Sequence, residues 1–301
     1  MQLLYSLDRD PGVSQKEILG RYDKAVDLAF ESLLFNLYLM MEITHHAVVD
    51  RDNRQGKLRP EPEDLTWNAK LFENDLIKSL FQNKILRKYF DERSFSSRLD
   101  PDMLQKMYNT FSKSPEYKKY IFTEVDDAGH REFLLNIYRD LRKNDIYEEI
   151  VDDQYPFWQE DKSLVIGAFK KIIKQLPESN DKFFDEYRPD DDTVIDFGRK
   201  LIGLTMEQNQ DLEKLIEPTL KNWDMERLAV LDVIIIKMAL VEFLFFPTIP
   251  TKVTLDEYVD VSKEYSTPKS KDFVNGILDK LMKTLSEEGK IKKEGRGLIE
   301  E

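Results

Sequence analysis

The fold is decided by the stretch Lys271-Asp272-Phe273-Val274-Asn275-Gly276-Ile277-Leu278-Asp279-Lys280, near the end of the chain. Its apolar residues recur at helical spacing, which predicts a helix with one buried face. An Asn-Gly pair lies in the middle of this helix, although an interior glycine costs about 1 kcal/mol relative to alanine. Such a pair is explained by a close backbone approach or by a contact that the asparagine side chain must make. The stretch therefore predicts a helix that makes a contact as well as packing in a core.

The composition excludes several classes of protein. The chain has 301 residues, no cysteine and a net charge of −13. Without cysteine there is no disulfide, thiol nucleophile or zinc–thiolate site, and a reducing cytoplasm is the expected compartment. The charged fraction of 34% with only 11 glycines favours helices. The net charge disfavours a protein that coats nucleic acid without specificity, but it permits a local basic patch.

Catalytic and cofactor-binding motifs are missing from the sequence. It contains no phosphate-binding loop, dinucleotide fingerprint, nucleophile elbow or zinc-protease motif. His45 and His46 follow Glu42 at helical spacing, but no second Glu-x-x-His completes a carboxylate-bridged metal site. We therefore expect no enzyme activity, no metal and no cofactor.

The longest apolar stretch, residues 228–246, is interrupted by Asp232, Lys237 and Glu242. These charges make it a poor membrane span and a good buried helix. The first residues lack the basic start of a signal peptide. We therefore expect a cytoplasmic protein that does not engage a membrane.

Helix start signals recur along the chain without any convincing strand pattern. Ser14 and Glu17 form a capping box, and a proline follows each of the capping residues Asp100 and Ser114. A polar, acidic link over residues 177–192 is the best candidate for a domain boundary. We expect an all-α fold with an expanded helical N-terminal region over residues 1–178, a C-terminal helical domain over 179–286, and a flexible basic tail over 287–301.

Three further start signals lie in the last third of the chain and predict three consecutive helices. Asp224 is expected to cap the first, Thr254 with Glu257 forms a second capping box, and Thr267 precedes a proline at the start of the last. From Ser262 to Lys293 there are eight lysines and five acidic residues, a net charge of +3. Such lysines suit phosphate contacts, with a neighbouring asparagine or aromatic ring to read or stack a base. The alternative, a helix C-terminus made basic to suit its dipole, is equally open from the residues alone.

A series of short motifs runs in order from Asp196 to Met282. It comprises Trp223, Arg227-Leu228 and Asp232, then Ile236-Lys237-Met238-Ala239 and Glu242, then Ile249-Pro250 and Leu255-Asp256-Glu257, and finally the closing stretch. In this order and spacing the motifs resemble the NusB family of bacterial transcription antitermination factors. The sequence has Lys237 where the family usually has arginine, and Asp256 where it has asparagine. The first six residues resemble the family's first helix more faintly.

The resemblance implies a NusB-like helical bundle in the C-terminal domain and a non-catalytic function. NusB-type proteins bind boxA RNA in ribosomal RNA transcripts together with NusE, a small-subunit ribosomal protein, and the pair loads onto the RNA polymerase elongation complex. DNA is not an expected partner. Burial of Phe273 in the core, and a helix-face salt bridge for Asp232, remain open alternatives. By matching position, RNA contacts are expected at Lys269, Lys271, Phe273 and Asn275, and NusE contacts at Tyr5 and Asp232.

The long N-terminal region resembles the expanded form of the family found in Bacteroidetes. In the family an arginine-rich segment that contacts RNA precedes the first helix, and this chain begins inside that motif. Either the natural start lies upstream of Met1 or the RNA grip of this protein is weakened. We expect the former, because a helix that begins on Met1 without a cap is a poor natural N-terminus. One alternative function is a NusB-like protein–protein scaffold that has lost direct RNA binding. An RNA-modifying enzyme is the least favoured alternative, because no glycine-rich cofactor domain follows.

Overall fold

The computed structural model describes residues 1–10, 12–220 and 228–298 of the chain. This part of the chain is helical and contains no strand, so the fold is all-α as predicted. None of its helices is long and apolar enough to cross a membrane. The motif residues Trp223 and Arg227, and the expected cap Asp224, lie outside the described residues.

The helices are numbered in chain order. Those before the acidic link are α1 (Gln2–Arg9), α2 (Gln15–Gln55), α3 (Pro62–Thr66), α4 (Lys70–Glu73), α5 (Asp75–Gln82), α6 (Lys84–Glu92), α7 (Pro101–Ser112), α8 (Pro115–Phe122), α9 (Asp127–Leu141), α10 (Asp145–Gln154) and α11 (Trp158–Gln175). Those after it are α12 (Phe197–Glu207), α13 (Asn209–Ile216), α14 (Val230–Phe245), α15 (Thr251–Tyr265) and α16 (Ser270–Glu287). A π-helical turn, Asp191–Asp196, leads into α12.

The chain divides into two compact units. We call Ala25–Pro189 the inserted unit, and Met1–Lys24 together with Asp190–Glu301 the terminal unit. The second boundary lies inside the acidic link over residues 177–192. The first boundary lies within α2, so residues 1–24 belong with the C-terminal helices rather than with the remainder of the region 1–178. This division differs from the three consecutive segments that composition and linker signals predict, because composition does not reveal a long-range packing partner.

The inserted unit has its own core, formed by apolar and aromatic side chains from α2 to α11. Trp67 and Trp158 are each 1% exposed. The buried carboxylate of Glu31 on α2 accepts hydrogen bonds from Arg93 at 2.7 Å and from Arg98 at 2.8 Å. Two guanidinium donors offset the cost of burying this charge.

In the terminal unit α14 is the central helix and packs against α12, α13, α15, α16 and α1. It is apolar on nearly every side, which is typical of a helix surrounded by protein. Its two interior charges beyond the first turn have polar partners, as burial requires. Lys237 donates to Asn209 and to Glu213, both at 2.7 Å. Glu242 accepts from Thr254 at 2.7 Å.

The helix start signals gave mixed results. The capping box of Ser14 and Glu17 and the caps at Asp100 and Ser114 are confirmed. The capping box expected at Thr254 is wrong, because α15 already begins at Thr251 and the Thr254 hydroxyl bonds to Glu242 instead. A buried acceptor on a neighbouring helix can use the same side chain that would otherwise cap a helix.

The segment after α16 has a defined path over the terminal unit up to Leu298, which differs from the flexible tail that its composition predicts. Ile291 packs against the core, and the backbone N–H of Glu294 donates to the carbonyl of Pro247 at 2.9 Å. The Lys293 ammonium donates to the carbonyl of Phe246 at 2.9 Å. These contacts satisfy carbonyl groups at and just beyond the C-terminal end of α14, which a helix leaves without intrahelical partners.

Candidate nucleic-acid interface

The start of α16 is fixed by a buried carboxylate on α14. Asp232, in the first turn of α14, is 5% exposed. It accepts a hydrogen bond from the Ser266 hydroxyl at 2.6 Å and another from the Ser270 hydroxyl at 2.8 Å. The Ser270 oxygen in turn lies 2.8 Å from the Thr267 hydroxyl and accepts the Thr267 backbone N–H at 3.2 Å. This network fixes the turn between α15 and α16 and therefore the position of the residues that follow it.

Two lysines project from this fixed turn. Lys269 immediately precedes α16 and Lys271 lies in its first turn, and both are exposed. Within the described part of the chain, neither ammonium group has an ion-pair partner. Both charges are therefore available to an anionic ligand such as a phosphate.

Asn275 lies one helical turn beyond Lys271 and is exposed. Residues four apart share a helix face, so the asparagine amide and the Lys271 ammonium point to the same side. The amide makes no hydrogen bond to any other described residue. An unpaired amide offers both a donor and an acceptor to a base edge.

Gly276 has open space above its Cα. A Cβ built at this position would meet nothing within 4 Å. The close backbone approach expected from the sequence is therefore not made by any described residue of this chain. Gly198 shows the contrast, because a Cβ there would overlap the hydroxyl of Tyr22. Packing within the described chain explains Gly198 and leaves Gly276 unexplained.

Phe273 is partly buried and packs against the core of the terminal unit. Its neighbours Val274 and Leu278 are fully buried. The ring thus contributes to the core, and only its remaining surface is accessible to a ligand. Both roles considered from the sequence are compatible with this position.

Tyr5 lies on α1, is partly buried, and packs against the same core. Its hydroxyl accepts a hydrogen bond from Arg9 at 3.0 Å, and the Arg9 guanidinium lies 5.2 Å from the centre of its ring. Because α1 packs on α14, Tyr5 and Asp232 belong to neighbouring helices. Asp232 itself lies beneath the surface, and its described contacts are with serine hydroxyls rather than with the salt-bridge partner considered from the sequence.

The eight lysines of the basic segment do not form one patch. Lys283 is paired with Asp279 at 2.7 Å, and Lys293 turns inward to backbone carbonyls. Lys269 and Lys290 lie at opposite ends of α16, which has 18 residues and is therefore about 27 Å long. Lys269 and Lys271 lie at the same end of α16 as Asn275.

Sequence reasoning missed Ser266 and Ser270, which hold Asp232. A cluster of hydroxyl residues before a helix was visible, but nothing in the sequence identified the buried acceptor on a different helix.

No group of histidine, aspartate and glutamate among the described residues is arranged to hold a metal ion. The ring of His45 instead packs against Phe72, with ring centres 4.9 Å apart.

Comparisons with known proteins agree with the motifs around this site. The NusB family model matches residues 159–283. A transcription antitermination protein NusB from Salinibacter ruber is 37% identical over 110 residues, which cover 36% of this chain and 69% of that protein. NusB proteins from Geobacter sulfurreducens and Chloroherpeton thalassium are each 36% identical over 105 residues, covering 35% of this chain and 76% and 50% of the respective relatives. No solved structure gives a significant match.

Proposed function

The chain belongs to the NusB family, and on that premise we propose that it is a transcription antitermination factor that binds RNA. Its target is boxA-containing ribosomal RNA transcript in the cytoplasm, and its protein partner is NusE. Together they join the RNA polymerase elongation complex. The family is not one of enzymes, and no catalytic step is part of the proposal.

The observation that carries this proposal is the group Lys269, Lys271, Asn275 and Gly276, which we call the α16 surface. Its two ammonium groups, its amide and its open glycine are exposed along the start of α16, directly after the turn that Asp232 holds. Within the described chain, the side chains of Lys269, Lys271 and Asn275 form no hydrogen bond or ion pair, and no atom closely approaches Gly276. Ligand binding accounts for all of them together.

The chemistry of the α16 surface suits single-stranded RNA. The lysines pair with phosphates, the amide hydrogen-bonds to a base edge, and the bare backbone at Gly276 admits a sugar or base at close range. The accessible part of Phe273 offers a ring against which a base can pack. Two lysines give modest affinity in a chain with a net charge of −13. A basic ribosomal protein bound to this acidic chain would supply the remaining positive charge. We place Tyr5 at that junction, and Asp232 beneath it as the residue that holds the turn.

The test is binding of a boxA-like RNA oligonucleotide to the full chain, measured by fluorescence anisotropy with and without the cognate NusE. We expect weak binding alone and tighter binding with NusE. Lys271→Glu should weaken RNA binding about tenfold, since a charge-assisted contact is worth about 1.5 kcal/mol. Asn275→Ala should weaken it less. Lys283→Glu is the matched control, because Lys283 is also exposed on α16 but is paired with Asp279.

The scaffold function predicts a different result. If NusE binds the full chain but no RNA binding is detected in either condition, the protein is a NusB-like scaffold that joins proteins only. If Lys283→Glu weakens RNA binding as much as Lys271→Glu does, the RNA contact is general electrostatic attraction and the α16 surface is not its site.

A further inference from the structure

A groove opens beside the C-terminal ends of α14 and α16, at the opposite end of α16 from the α16 surface. Its volume is about 590 Å³. The residues that line it belong to α13, to α14 and to the segment after α16, all within the terminal unit. They are Asp211, Lys214, Leu215, Leu244, Phe245, Gly289, Lys290 and Lys292.

The floor of the groove is apolar. Leu215 on α13 and Leu244 and Phe245 on α14 pack against the core of the terminal unit with one side and are only partly buried. All three line the groove and keep part of their apolar surface accessible from it. Burial of this surface by a ligand is favourable.

The rim of the groove is basic. Lys214, Lys290 and Lys292 are all exposed, and Asp211 is the only acidic residue among the described residues that line the groove. Lys214 is paired with Asp211 at 2.7 Å and Lys290 with Glu288 at 2.7 Å. Among the described residues Lys292 has no ion-pair partner. The rim therefore keeps a positive charge in a chain whose overall charge is strongly negative.

Two further lysines make the surroundings more positive. Lys200 donates to the carbonyl of Phe245 at 2.9 Å, and Lys293 donates to the carbonyl of Phe246 at 2.9 Å. A helix C-terminus carries a partial negative charge, and these ammonium groups offset it at the end of α14. An anionic ligand in the groove thus meets little repulsion from the helix end.

The groove is distinct from the α16 surface. The two are separated by the length of α16, about 27 Å for 18 residues. Two of the three floor side chains are leucines, which offer a base neither a ring to stack on nor a hydrogen-bonding group.

We propose that this groove is a docking site for an acidic, apolar segment of a protein partner. A leucine or phenylalanine of that segment packs on Leu215, Leu244 and Phe245. Flanking carboxylates pair with Lys292 and, in place of Glu288, with Lys290. Complementarity of charge and of polarity carries the assignment, since the site offers an apolar floor with three lysines and one aspartate on its rim. The proposal does not depend on RNA binding.

The test uses the full chain and a synthetic peptide of about eight residues in which leucines alternate with glutamates. In an extended peptide this alternation puts the leucines on one side, which suits an open groove. Binding is measured by isothermal titration calorimetry, and the site is located by methyl NMR of Leu215 and Leu244. We expect weak binding that shifts both methyl signals. The double variant Lys290→Gln/Lys292→Gln should weaken binding about tenfold through the loss of two ion pairs. Lys263→Gln/Lys283→Gln carries the same change in charge outside the groove and should leave binding unchanged.

Three outcomes would overturn the proposal. The first is that the peptide leaves the methyl signals of Leu215 and Leu244 unmoved. The second is that a peptide with serine in place of every leucine binds equally well, which would reduce the site to its charge. The third is that a single-stranded RNA oligonucleotide shifts the same methyl groups more strongly than the peptide does, which would assign the groove to nucleic acid. The boxA binding test is read at the α16 surface, so failure of either proposal leaves the other intact.

Discussion

Asp232 on α14 and Ser270 on α16 are joined by a hydrogen bond of 2.8 Å from the serine hydroxyl to a buried carboxylate. Ser266, on the same turn, donates to the other carboxylate oxygen. One side chain on the central helix α14 thereby fixes the turn at which α16 begins. We therefore expect Asp232 to affect RNA binding through the position of the turn rather than through direct contact.

Asp232→Ala should therefore both destabilise the protein and weaken RNA binding. Removing the acceptor leaves two serine hydroxyls without their partner, at a cost of about 1–3 kcal/mol. Asp232→Asn retains one acceptor oxygen and should lose less of both. Chemical denaturation measures the first effect, anisotropy the second, and the amide signals of Lys269 and Lys271 report the position of the turn. RNA affinity that stays unchanged in Asp232→Ala, with shifted amide signals, would separate the turn from RNA binding.

The contribution of Lys269 and Lys271 to RNA binding can be measured from the dependence of RNA affinity on salt concentration. Each phosphate contact on single-stranded nucleic acid adds about 0.7 to the slope of log affinity against log salt. Lys269→Gln/Lys271→Gln should lower that slope by about 1.4 if each lysine pairs with one phosphate. Affinity is measured with boxA-like RNA over a range of salt concentrations. A slope equal to that of the unaltered chain would show that neither lysine touches the RNA backbone.

Gly276→Ala should separate folding from binding. A Cβ at this position meets nothing within 4 Å, so alanine should raise the free energy of unfolding by about 1 kcal/mol. The same Cβ should weaken RNA binding if the ligand approaches the backbone there. Gly198→Ala is the contrasting variant and should destabilise the chain, because its Cβ would overlap the Tyr22 hydroxyl. If Gly276→Ala gains stability and keeps full RNA affinity, the ligand does not come close at this glycine.

Lys293 predicts a dependence of stability on pH. Burial lowers its pKa to about 8 from an ordinary value of about 10.5, which it keeps in the unfolded chain. Between these two values the unfolded chain binds more protons than the folded chain does. The contribution of Lys293 to the free energy of unfolding should therefore rise with pH above about 8, by at most about 1.4 kcal/mol per pH unit.

The measurement for Lys293 is denaturant unfolding at several pH values from 7.5 to about 9.5, below the range in which exposed tyrosines ionise. The variant Lys293→Met removes the titrating group and should have a flatter profile than the unaltered chain. The nearby Glu242 has a pKa that is raised by burial, and hydrogen bonds from Thr254 and Tyr258 oppose that rise. Parallel profiles for the two proteins would show that the Lys293 ammonium is not desolvated.

The sequence predicted the parts of the fold that depend on local pattern. The apolar stripe of α16 indicated which residues are buried, and Val274 and Leu278 are indeed fully buried. The three charges within residues 228–246 indicated a helix buried in protein, and α14 has that position. Helical periodicity and the cost of burying charge were sufficient for both predictions.

Features that depend on distant partners could not be predicted in the same way. The sequence suggested that the eight lysines form one basic segment. In the structure Lys269 and Lys290 lie at opposite ends of α16. The role of Asp232 depends on two hydroxyls that lie more than 30 positions away. The glycine at 276 was correctly identified as unusual, and only the structure showed that its open side faces away from the described chain.

The terminal unit is built from two separate parts of the chain, and this affects the order in which the protein can fold. Translation completes Ala25–Pro189 before any residue from Asp190 onward exists, so the inserted unit can fold first as a unit of its own. During that time Leu4 and Ile18, which are 6% and 0% exposed in the complete chain, lack the helices that cover them. Residues 1–24 are thus buried only after residues from Asp190 onward have been made, and the same holds for assembly of the α16 surface.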